Sequence, residues 1–395
     1  MAAAATPLRP AAANVRILIA SDSFLPKVDG VADTAATVAA SLQDRGHRVA
    51  VFTATKGAPR HGEVTVIRAP SLPLPVYPEV RIAAPFRLAR RVVEAFRPDA
   101  CMILTTGPVG LATARSIPPG IPLVHVYTTD MPRYLRDYHL GLLNRPFARI
   151  LHWLTARATV TLCPTDAVRR TLAADGHPRL AVWGRGVDTA LFAPGRCDAQ
   201  MRDLLTGGEP AKPLVLFVGR LAREKRLLDL YAAARQLPGV RFAIVGDGPQ
   251  RDLLERRFAT VPSIFTGYLR GKELATAYAS GDLFAFPSDT ETFGQVVLQA
   301  MASGLPPVVV EGSAPAEFVQ HGVSGLHVPG RQPDALAGAL RELIEAPARR
   351  ESMARAGVAS ASQFTWPALV DRLEAMLDGR TVSPPIPAAA HGLAK

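Results

Sequence analysis

The chain has 395 residues, of which 48% are hydrophobic and 20% are charged, and its formal net charge is +11. At roughly 100–200 residues per domain this length predicts two domains with cores of their own, and a mean hydropathy of +0.13 excludes wholesale disorder. No run approaches the ~20 apolar residues of a membrane span. Three cysteines without a CxxC pair exclude a disulfide framework and predict a cytoplasmic protein.

All of the excess positive charge lies in the first half of the chain. Residues 1–187 contain 23 Lys and Arg against 12 Asp and Glu, whereas residues 188–395 contain 22 of each. This asymmetry predicts an acidic partner for one half. Nucleic acid, an anionic membrane and a phosphorylated ligand all remain open on this evidence.

The first half alternates apolar or β-branched runs with segments of helical periodicity. Residues 1–14 are rich in Ala and Pro, lack the regions of a secretory signal, and are expected to form a disordered leader. Predicted strands span 15–20, 49–53, 64–68, 100–104, 123–127, 159–163 and 180–183. Predicted helices span 32–43, 88–96, 109–115, 147–156 and 166–174.

A stretch rich in Pro and Gly at 193–212 predicts a linker, after which the alternation restarts. Strands are predicted at 214–218, 242–245, 264–266, 283–286 and 307–310, with helices between them. Strand, crossover, strand is typical of parallel sheets covered by helices. The predicted fold class is therefore α/β, with Rossmann-like domains at 15–192 and 213–364 facing across a cleft, and a disordered tail at 381–395.

The loops that follow predicted strands exclude several nucleotide-binding classes. The first, at 21–30, has no G-x-G-x-x-G, and no Walker lysine motif occurs, so a dehydrogenase or P-loop enzyme loses its main support. The turn from Gly246 to Arg251 matches the dinucleotide motif only in part, and Pro249 is expected to be the first residue of a helix. Metal ligands do not cluster. The acidic pair Asp289 and Glu291 is more typical of helix capping than of metal binding.

Two loops in the second half have a more specific chemistry. Gly219 follows a predicted buried strand and precedes Arg220 and Lys225. The Arg guanidinium can bind a diphosphate through two parallel hydrogen bonds, and the Lys ammonium can bind it as a compact positive charge. A solvated basic loop would look the same.

The second loop leads from a strand into a helix. Glu291 could accept hydrogen bonds from sugar hydroxyls, while the N–H groups of Phe293 and Gly294 begin the helix and form an anion site. Gln299 lies on the same helix and is expected to reach the same ligand. An ordinary capped amphipathic helix is the alternative, although Gly294 fits it poorly.

Several motifs together place the chain near one enzyme family. They read V-G-R-L-x-x-E-K, I-V-G-D-G-P, G-Y-L, F-P-S-x-x-E-T-F-G-x-V-x-L-x-A-M-A-S-G-L-P and R-G-V-D-T-x-L-F. The chain resembles the retaining family-4 glycosyltransferases of the GT-B fold, from about residue 17 to residue 376. Within that family it is most similar to bacterial GDP-mannose-dependent alpha-mannosyltransferases and glycolipid glycosyltransferases.

The resemblance implies a role for each matching residue. Arg220 and Lys225 would grip the diphosphate of a nucleotide-sugar donor and stabilise the departing nucleotide without a metal or other cofactor. Glu291 would hold the transferred sugar, and Gly30 would approach the donor with its backbone. The last helix, within 365–380, would cross back to the N-terminal domain. The remaining implied donor-binding residues are Gly219, Gly246, Asp247, Gly248, Pro249, Tyr268, Leu269, Thr292, Phe293, Gly294 and Gln299.

Two positions depart from the family pattern. Gln299 stands where the family has a second acidic residue that bonds the ribose, so altered donor binding is expected. Thr128 stands where many relatives have a histidine, and Asp130 becomes the polar candidate for the catalytic group there. His125 is interpreted as a packed strand residue rather than a replacement.

The resemblance implies that the acceptor meets the basic N-terminal half. The segments 87–97 and 144–157 are basic amphipathic helices that could lie on an anionic lipid surface, or could simply turn their apolar stripes to the core. The charge asymmetry favours a lipid-linked or polysaccharide acceptor at the inner face of a membrane. No DNA- or RNA-binding module is recognisable, so nucleic acid is not expected as a partner.

The function expected from the sequence is transfer of a hexosyl unit, such as mannose, from a nucleotide-diphosphate sugar. Three alternatives remain: a sulfoquinovosyl or glucosyl glycolipid transferase, a nucleotide-sugar epimerase or hydrolase, and a non-catalytic sugar-nucleotide-binding adaptor. The departures at Gln299 and Thr128 motivate the last of these.

Overall fold

The structure is a computed structural model that describes residues 14–27, 29–74, 77–128, 144–291 and 293–377. The predicted leader, apart from Asn14, and the predicted tail lie outside these residues. The chain divides into two compact units. The first consists of Met1–Gly184 and Trp366–Lys395, and the second of Arg185–Thr365.

The first unit is built on a sheet that is parallel except at one edge. Its strands are β1 (Arg16–Ser21), β2 (Arg48–Thr53), β3 (Arg60–His61), β4 (Val64–Arg68), β7 (Ala100–Ile103), β8 (Leu123–Val126), β9 (Val160–Cys163) and β10 (Leu180–Val182), in the order β10-β9-β8-β7-β1-β2-β4-β3. The edge pair β3 and β4 is antiparallel. A separate hairpin pairs β5 (Leu72–Leu74) with β6 (Tyr77–Ile82).

Helices cover both faces of this sheet, as its apolar strands require. They are α1 (Gly30–Asp44), α2 (Phe86–Phe96), α3 (Pro108–Ser116), α4 (Asn144–Arg157) and α5 (Asp166–Ala174). Successive residues of a strand point to opposite faces. Ile17 and Ile19 of β1 accordingly join the apolar cluster under α1, whereas Leu18 and Ala20 join the cluster under α2 and α3.

The second unit has an entirely parallel sheet. Its strands are β11 (Leu214–Val218), β12 (Arg241–Val245), β13 (Ser263–Gly267), β14 (Leu283–Phe286), β15 (Pro307–Val310) and β16 (Leu326–Val328), in the order β13-β12-β11-β14-β15-β16. Its helices are α6 (Ala199–Thr206), α7 (Leu227–Ala234), α8 (Arg251–Phe258), α9 (Gly271–Ala279), α10 (Gln295–Ala302), α11 (Pro333–Glu345) and α12 (Pro347–Ala361). Strand order reverses between β11 and β14, which makes the carboxyl ends of these two strands the place where such sheets bind ligands.

The last helix, α13 (Trp366–Leu377), returns to the first unit. Its Leu369, Val370 and Leu373 are buried in the same cluster as Leu42 of α1. The indole N–H of Trp183 donates a hydrogen bond to the Leu369 carbonyl at 2.9 Å. These contacts bind the two segments of the first unit together.

The division between the units falls at residue 184, earlier than the predicted linker. The stretch 193–212 is not an extended linker, because it contains α6 with Leu205 fully buried. Asp198 caps that helix by accepting a hydrogen bond from the Met201 N–H at 2.8 Å, and Gly207 ends it in the left-handed conformation. The Pro and Gly residues that suggested a linker flank this short helix on both sides.

Candidate functional site

The predicted diphosphate-binding residues lie outside the carboxyl ends of the two strands at the switch point of the second sheet. The β11 loop (residues 219–226) carries Arg220 and Lys225, and the β14 loop (residues 287–294) carries Glu291. Lys225 ends a single turn of 3-10 helix at Arg223–Lys225. Sheet order thus brings together residues that are distant in the sequence.

Lys225 and Glu291 form an ion pair across these two loops. Their side chains are 20% and 17% exposed, so the pair is mostly shielded from water. The ammonium group also lies 5.7 Å from the ring centre of Phe286, the last residue of β14. Burial, together with the positive charges of Arg220 and Arg185, lowers the pKa of Lys225 to about 8 against the opposing effect of Glu224.

Two hydroxyl groups hold the β14 loop against the β11 loop. Ser288 and Thr290 donate hydrogen bonds to the same carbonyl oxygen, that of Glu224, at 3.1 and 3.3 Å. Ser288 is fully buried. Because Glu224 directly precedes Lys225, these bonds position the backbone from which the lysine extends.

Glycines pack the turn after β12 against the β11 loop. A Cβ atom at Gly246 would lie 1.9 Å from the carbonyl oxygen of Gly219, and one at Gly248 would lie 2.6 Å from that of Leu221. The backbones are bonded at the same place, since the Leu221 N–H donates to the Asp247 carbonyl at 2.9 Å. Only glycine permits so close an approach, whatever part these residues take in binding a donor.

Tyr268 stands over this turn. Its hydroxyl donates to the Asp247 carbonyl at 3.1 Å, yet half of the residue, 51%, is exposed. Leu269 packs against the core beside it. Helix α8 begins at Arg251, so the expectation that Pro249 is its first residue was wrong. Gln250 occupies the cap position, and its N–H bonds the Leu221 carbonyl instead of continuing the helix.

The start of α10 also differs from its predicted form. The helix begins at Gln295, and Gly294 precedes it as the cap residue with φ of 86°. A Cβ at Gly294 would meet the Pro315 ring at 2.4 Å. The cap residue Gly294 makes no side-chain hydrogen bond to the helix, while Asp289 pairs with Arg331 at 3.1 Å and Glu291 pairs with Lys225. The capping interpretation of this acidic pair did not predict these ion pairs with other segments.

Gln299 lies within α10, half-buried, and accepts a hydrogen bond from the Tyr278 hydroxyl at 3.3 Å. Tyr278 is fully buried, and burial raises the pKa of its phenol. The buried hydroxyl must donate its proton to some acceptor, so Gln299 Oε1 satisfies it. The amide N–H2 of Gln299 is left as the group that a ligand could meet.

In the first unit, Gly30 is the first residue of α1, directly after the β1 loop. Asp29 caps the helix, accepting from the N–H groups of Val31 and Ala32 at 3.1 and 2.8 Å and pairing with Lys27 at 2.9 Å. Backbone N–H groups therefore converge at this end of α1.

The region of the family histidine is described only in part. Thr128 donates to the Leu104 carbonyl at 3.0 Å. His125 is fully buried in β8, and burial lowers its pKa to about 3, as expected of a neutral packed strand residue. Asp130 lies outside the described residues, as does Thr292 in the second unit.

The two basic helices turn their apolar residues inward. Ala89, Val92 and Val93 of α2 are buried, as are Leu151 and Leu154 of α4. Their apolar stripes therefore face the core, as one of the two interpretations of the sequence predicted, and are not free to insert into a lipid surface. The exposed surface keeps basic and aromatic residues: Arg87, Arg90, Arg91, Arg145, Arg149, Phe86 and Trp153.

A cavity of about 1030 Å³ lies between α2 and α3, lined by Arg16, Arg90, Arg97 and Arg115. Arg16, which begins β1, places it at the amino-terminal edge of the first sheet. Among the described residues, no helix is both long enough and apolar enough to cross a bilayer.

Sequence reasoning overlooked three contributors to the cluster. Ser288 and Thr290 lie in the F-P-S-x-x-E-T-F-G motif. Their hydrogen bonds to a carbonyl that is distant in the sequence produce no periodicity from which they could be predicted. Arg185 stands in the quoted R-G-V-D run, and only the fold brings its charge close enough to lower the pKa of Lys225.

Comparison with known families identifies the chain, with its two α/β units, as a glycosyltransferase. The model for "Glycosyltransferase Family 4" matches residues 28–191, and that for "Glycosyl transferases group 1" matches residues 207–359. The chain belongs to the family-4 glycosyltransferases, and its fold is GT-B.

Relatives and solved structures agree with this assignment. The chain is 36% identical to a GDP-mannose-dependent alpha-mannosyltransferase of Mycobacterium tuberculosis, over 91% of this chain and 95% of the relative. It is 35% identical to the sulfoquinovosyl transferase SQD2 of Arabidopsis thaliana, over 84% and 67%. Anabaena HepE, solved in complex with UDP-glucose, is 22% identical with a TM-score of 0.76, covering 92% of this chain and all of that one.

Proposed function

We propose that the protein transfers mannose from GDP-mannose to a lipid-linked or polysaccharide acceptor, with retention of the anomeric configuration and without a metal. The observation that carries the proposal is the pair of Lys225 and Glu291 beside Arg220, outside the carboxyl ends of β11 and β14. The choice of donor is supported by the mycobacterial relative, which is named for its dependence on GDP-mannose.

Each group of the cluster has a part in the proposed reaction. Lys225 and Arg220 neutralise the diphosphate as the bond from the anomeric carbon to the phosphate oxygen breaks. Glu291 accepts hydrogen bonds from hydroxyls of the sugar and fixes its orientation. The acceptor hydroxyl attacks from the face that the nucleotide leaves, and its proton passes to the departing phosphate.

The proposal of a lipid-linked acceptor is supported by the exposed surface of the first unit. The exposed arginines of α2 and α4, with Trp153 and Phe86 among them, are a surface that anionic lipid headgroups would attract. Binding would be peripheral and electrostatic, because the apolar stripes of both helices are used in the core. We therefore propose that the reaction takes place at a membrane surface, on its cytoplasmic side.

The proposal is tested by incubating the protein with GDP-mannose, a lipid extract and EDTA, and by determining the configuration of the product by NMR. An α-linked mannosyl product from the α-configured donor, formed in EDTA and lost in Lys225→Ala and Glu291→Ala, is expected. An inverted product, or full activity of both variants, would rule the mechanism out. GDP-mannose consumed equally fast without any acceptor would indicate a hydrolase or epimerase instead.

Gln299 and Thr128 favour one second candidate, a non-catalytic protein that binds sugar nucleotides. Such a protein would bind GDP-mannose and never turn it over. Restoring the family residue by Gln299→Glu separates the cases, because in an enzyme this change alters the KM for the donor while turnover persists. Binding with no turnover in either form would favour the adaptor.

A further inference from the structure

The ion pair of Lys225 and Glu291 joins two residues that the proposed function assigns to different parts of one donor. The lysine serves the diphosphate and the glutamate serves the sugar. Their side chains contact each other directly and are both mostly buried. The Lys225 ammonium has three N–H groups, and any of them that turns to the diphosphate of a bound nucleotide sugar is withdrawn from Glu291.

The neighbouring charged groups determine how Lys225 and Glu291 are each compensated when their ion pair separates. Lys225 lies near the positive charges of Arg220 and Arg185, and near the negative charges of Glu224 and Glu291. A diphosphate replaces the carboxylate as its anionic partner and suits the whole cationic cluster. Glu291 has only acceptor atoms, so it needs donor groups in place of the ammonium.

Of the donor substrate and the nucleoside diphosphate product, only the donor substrate brings such hydrogen-bond donors. A nucleotide sugar brings hydroxyls that donate to the Glu291 carboxylate and compensate it for the lost ammonium. A nucleoside diphosphate, the product, brings no sugar. It leaves a mostly buried carboxylate uncompensated beside its own negative charge, or competes with that carboxylate for Lys225.

We propose that Glu291 is a specificity determinant that weakens binding of the nucleoside diphosphate relative to the nucleotide sugar, by competing for Lys225 whenever the sugar is absent. This inference rests on the proposed function. It gives the enzyme a way to release its product, because loss of the sugar restores the pairing of Lys225 with Glu291.

The test compares dissociation constants, by calorimetry, for GDP and GDP-mannose and for UDP and UDP-glucose. In Glu291→Gln the carboxylate charge is removed at constant shape, so the nucleoside diphosphate should bind about 2- to 5-fold tighter, the range measured for ion pairs that water still partly screens. The nucleotide sugar should not gain, so the discrimination between the two ligands should fall by about the same factor. Glu291→Asp, which keeps the charge, should retain much of the discrimination.

Asp289→Asn is the matched control, because Asp289 is an acidic residue of the same loop that pairs with Arg331 instead of Lys225. It should leave the ratio of the two dissociation constants unchanged. Proton uptake on binding of the nucleoside diphosphate at pH 8, measured in buffers of different ionisation enthalpy, reports Lys225 directly. This uptake should be abolished by Lys225→Met and not by Asp289→Asn.

The outcomes separate this inference from the function on which it rests. If the wild-type protein binds none of the four nucleotides, the proposed function fails and the inference falls with it. If the wild type binds a nucleotide sugar and Glu291→Gln leaves the nucleoside diphosphate no tighter, only the exchange of partners is overturned. A loss of affinity for both ligands in a folded Glu291→Gln protein would likewise overturn it.

Discussion

Lys225 is a residue whose charge depends on the fold around it. Burial and two neighbouring guanidinium groups lower its pKa to about 8, close to the pH at which the protein would work. Above that pH the free protein progressively loses the ammonium that the proposed mechanism needs. A bound diphosphate would oppose this loss by favouring the charged form.

The first prediction concerns the pH dependence of catalysis. The value of kcat/KM reports ionisations of the free enzyme, so its fall for the donor should begin near pH 8 and approach ten-fold per pH unit. In Lys225→Arg the charge persists, because a guanidinium keeps its proton far above the working pH, and the fall should move to higher pH even if the maximal rate is lower. Lys272→Arg, at an exposed lysine of α9, is the control and should keep the wild-type profile. An unshifted fall in Lys225→Arg would mean that another group titrates.

The second prediction concerns Gly246, where the backbone of the neighbouring loop leaves no room for a side chain. Gly246→Ala places a Cβ 1.9 Å from a carbonyl oxygen at φ of 138°, so the loops must separate. We expect a loss of about 3 kcal/mol in the free energy of unfolding, the range of strained, overpacked backbone sites. Gly239→Ala, at φ of 85° with open space around it, carries only the conformational cost of about 1 kcal/mol. Hydrogen exchange across β11 and β12 measures both, and equal losses would contradict the steric explanation.

At the scale of elements, one buried carboxylate fastens α13 to the rest of the first unit. Glu374 is 9% exposed and accepts hydrogen bonds from Arg45 at 2.8 Å and His47 at 3.0 Å. Arg45 also pairs with Asp371, which is half exposed. The two carboxylates share a partner and differ in burial, which makes them a natural pair for comparison.

The third prediction follows from that difference. Glu374→Ala leaves the buried His47 without its carboxylate partner and removes a mostly buried ion pair with Arg45, so it should cost about 3 kcal/mol. Asp371→Ala should cost less than about 1 kcal/mol because water screens exposed pairs. The chain has three tryptophans, Trp153, Trp183 and Trp366, all in the first unit. Urea unfolding followed by tryptophan fluorescence therefore reports this unit alone. Similar losses for the two variants would show that burial does not decide the strength of this contact.

The elements differ in how well the sequence predicts them, for physical reasons. Strands β11 and β14 begin and end where predicted, because a strand covered on both faces is a continuous apolar run. The hairpin of β5 and β6 was not predicted, because its prolines argue against a strand and it lies outside the main sheet. Helix α6 was hidden by the Pro and Gly residues on either side of it.

The candidate site was predictable as a set of residues and not as a set of contacts. Motifs indicated Arg220, Lys225 and Glu291, since their side-chain chemistry suits a nucleotide sugar. The pairing of Lys225 with Glu291 depends on β11 lying next to β14, which is a property of the sheet order. The requirement for glycine at position 294 comes likewise from its close approach to the Pro315 ring, which the local sequence pattern does not predict.

At the scale of the whole molecule, the net charge of +11 separates by unit. The second unit is nearly neutral, with 20 Lys and Arg against 19 Asp and Glu, so the proposed grip on the diphosphate is a local arrangement of Arg220, Lys225 and Arg185. The excess belongs to the first unit, where exposed arginines of α2 and α4 lie outside the core. Long-range attraction to an anionic surface should therefore act through the first unit.

The fourth prediction tests that separation. The triple variant Arg87→Gln, Arg91→Gln and Arg149→Gln removes three exposed charges, and at about 1 kcal/mol each near a membrane surface it should weaken binding to phosphatidylglycerol vesicles on the order of 100-fold. Its affinity for GDP-mannose should be unchanged, because no residue of the switch-point cluster is altered. The matched triple in the second unit, Arg256→Gln, Arg257→Gln and Lys272→Gln, removes the same charge from exposed positions and should leave vesicle binding nearly intact. Equal losses in co-sedimentation for the two triples would mean that net charge alone, and not its placement on the first unit, draws the protein to the membrane.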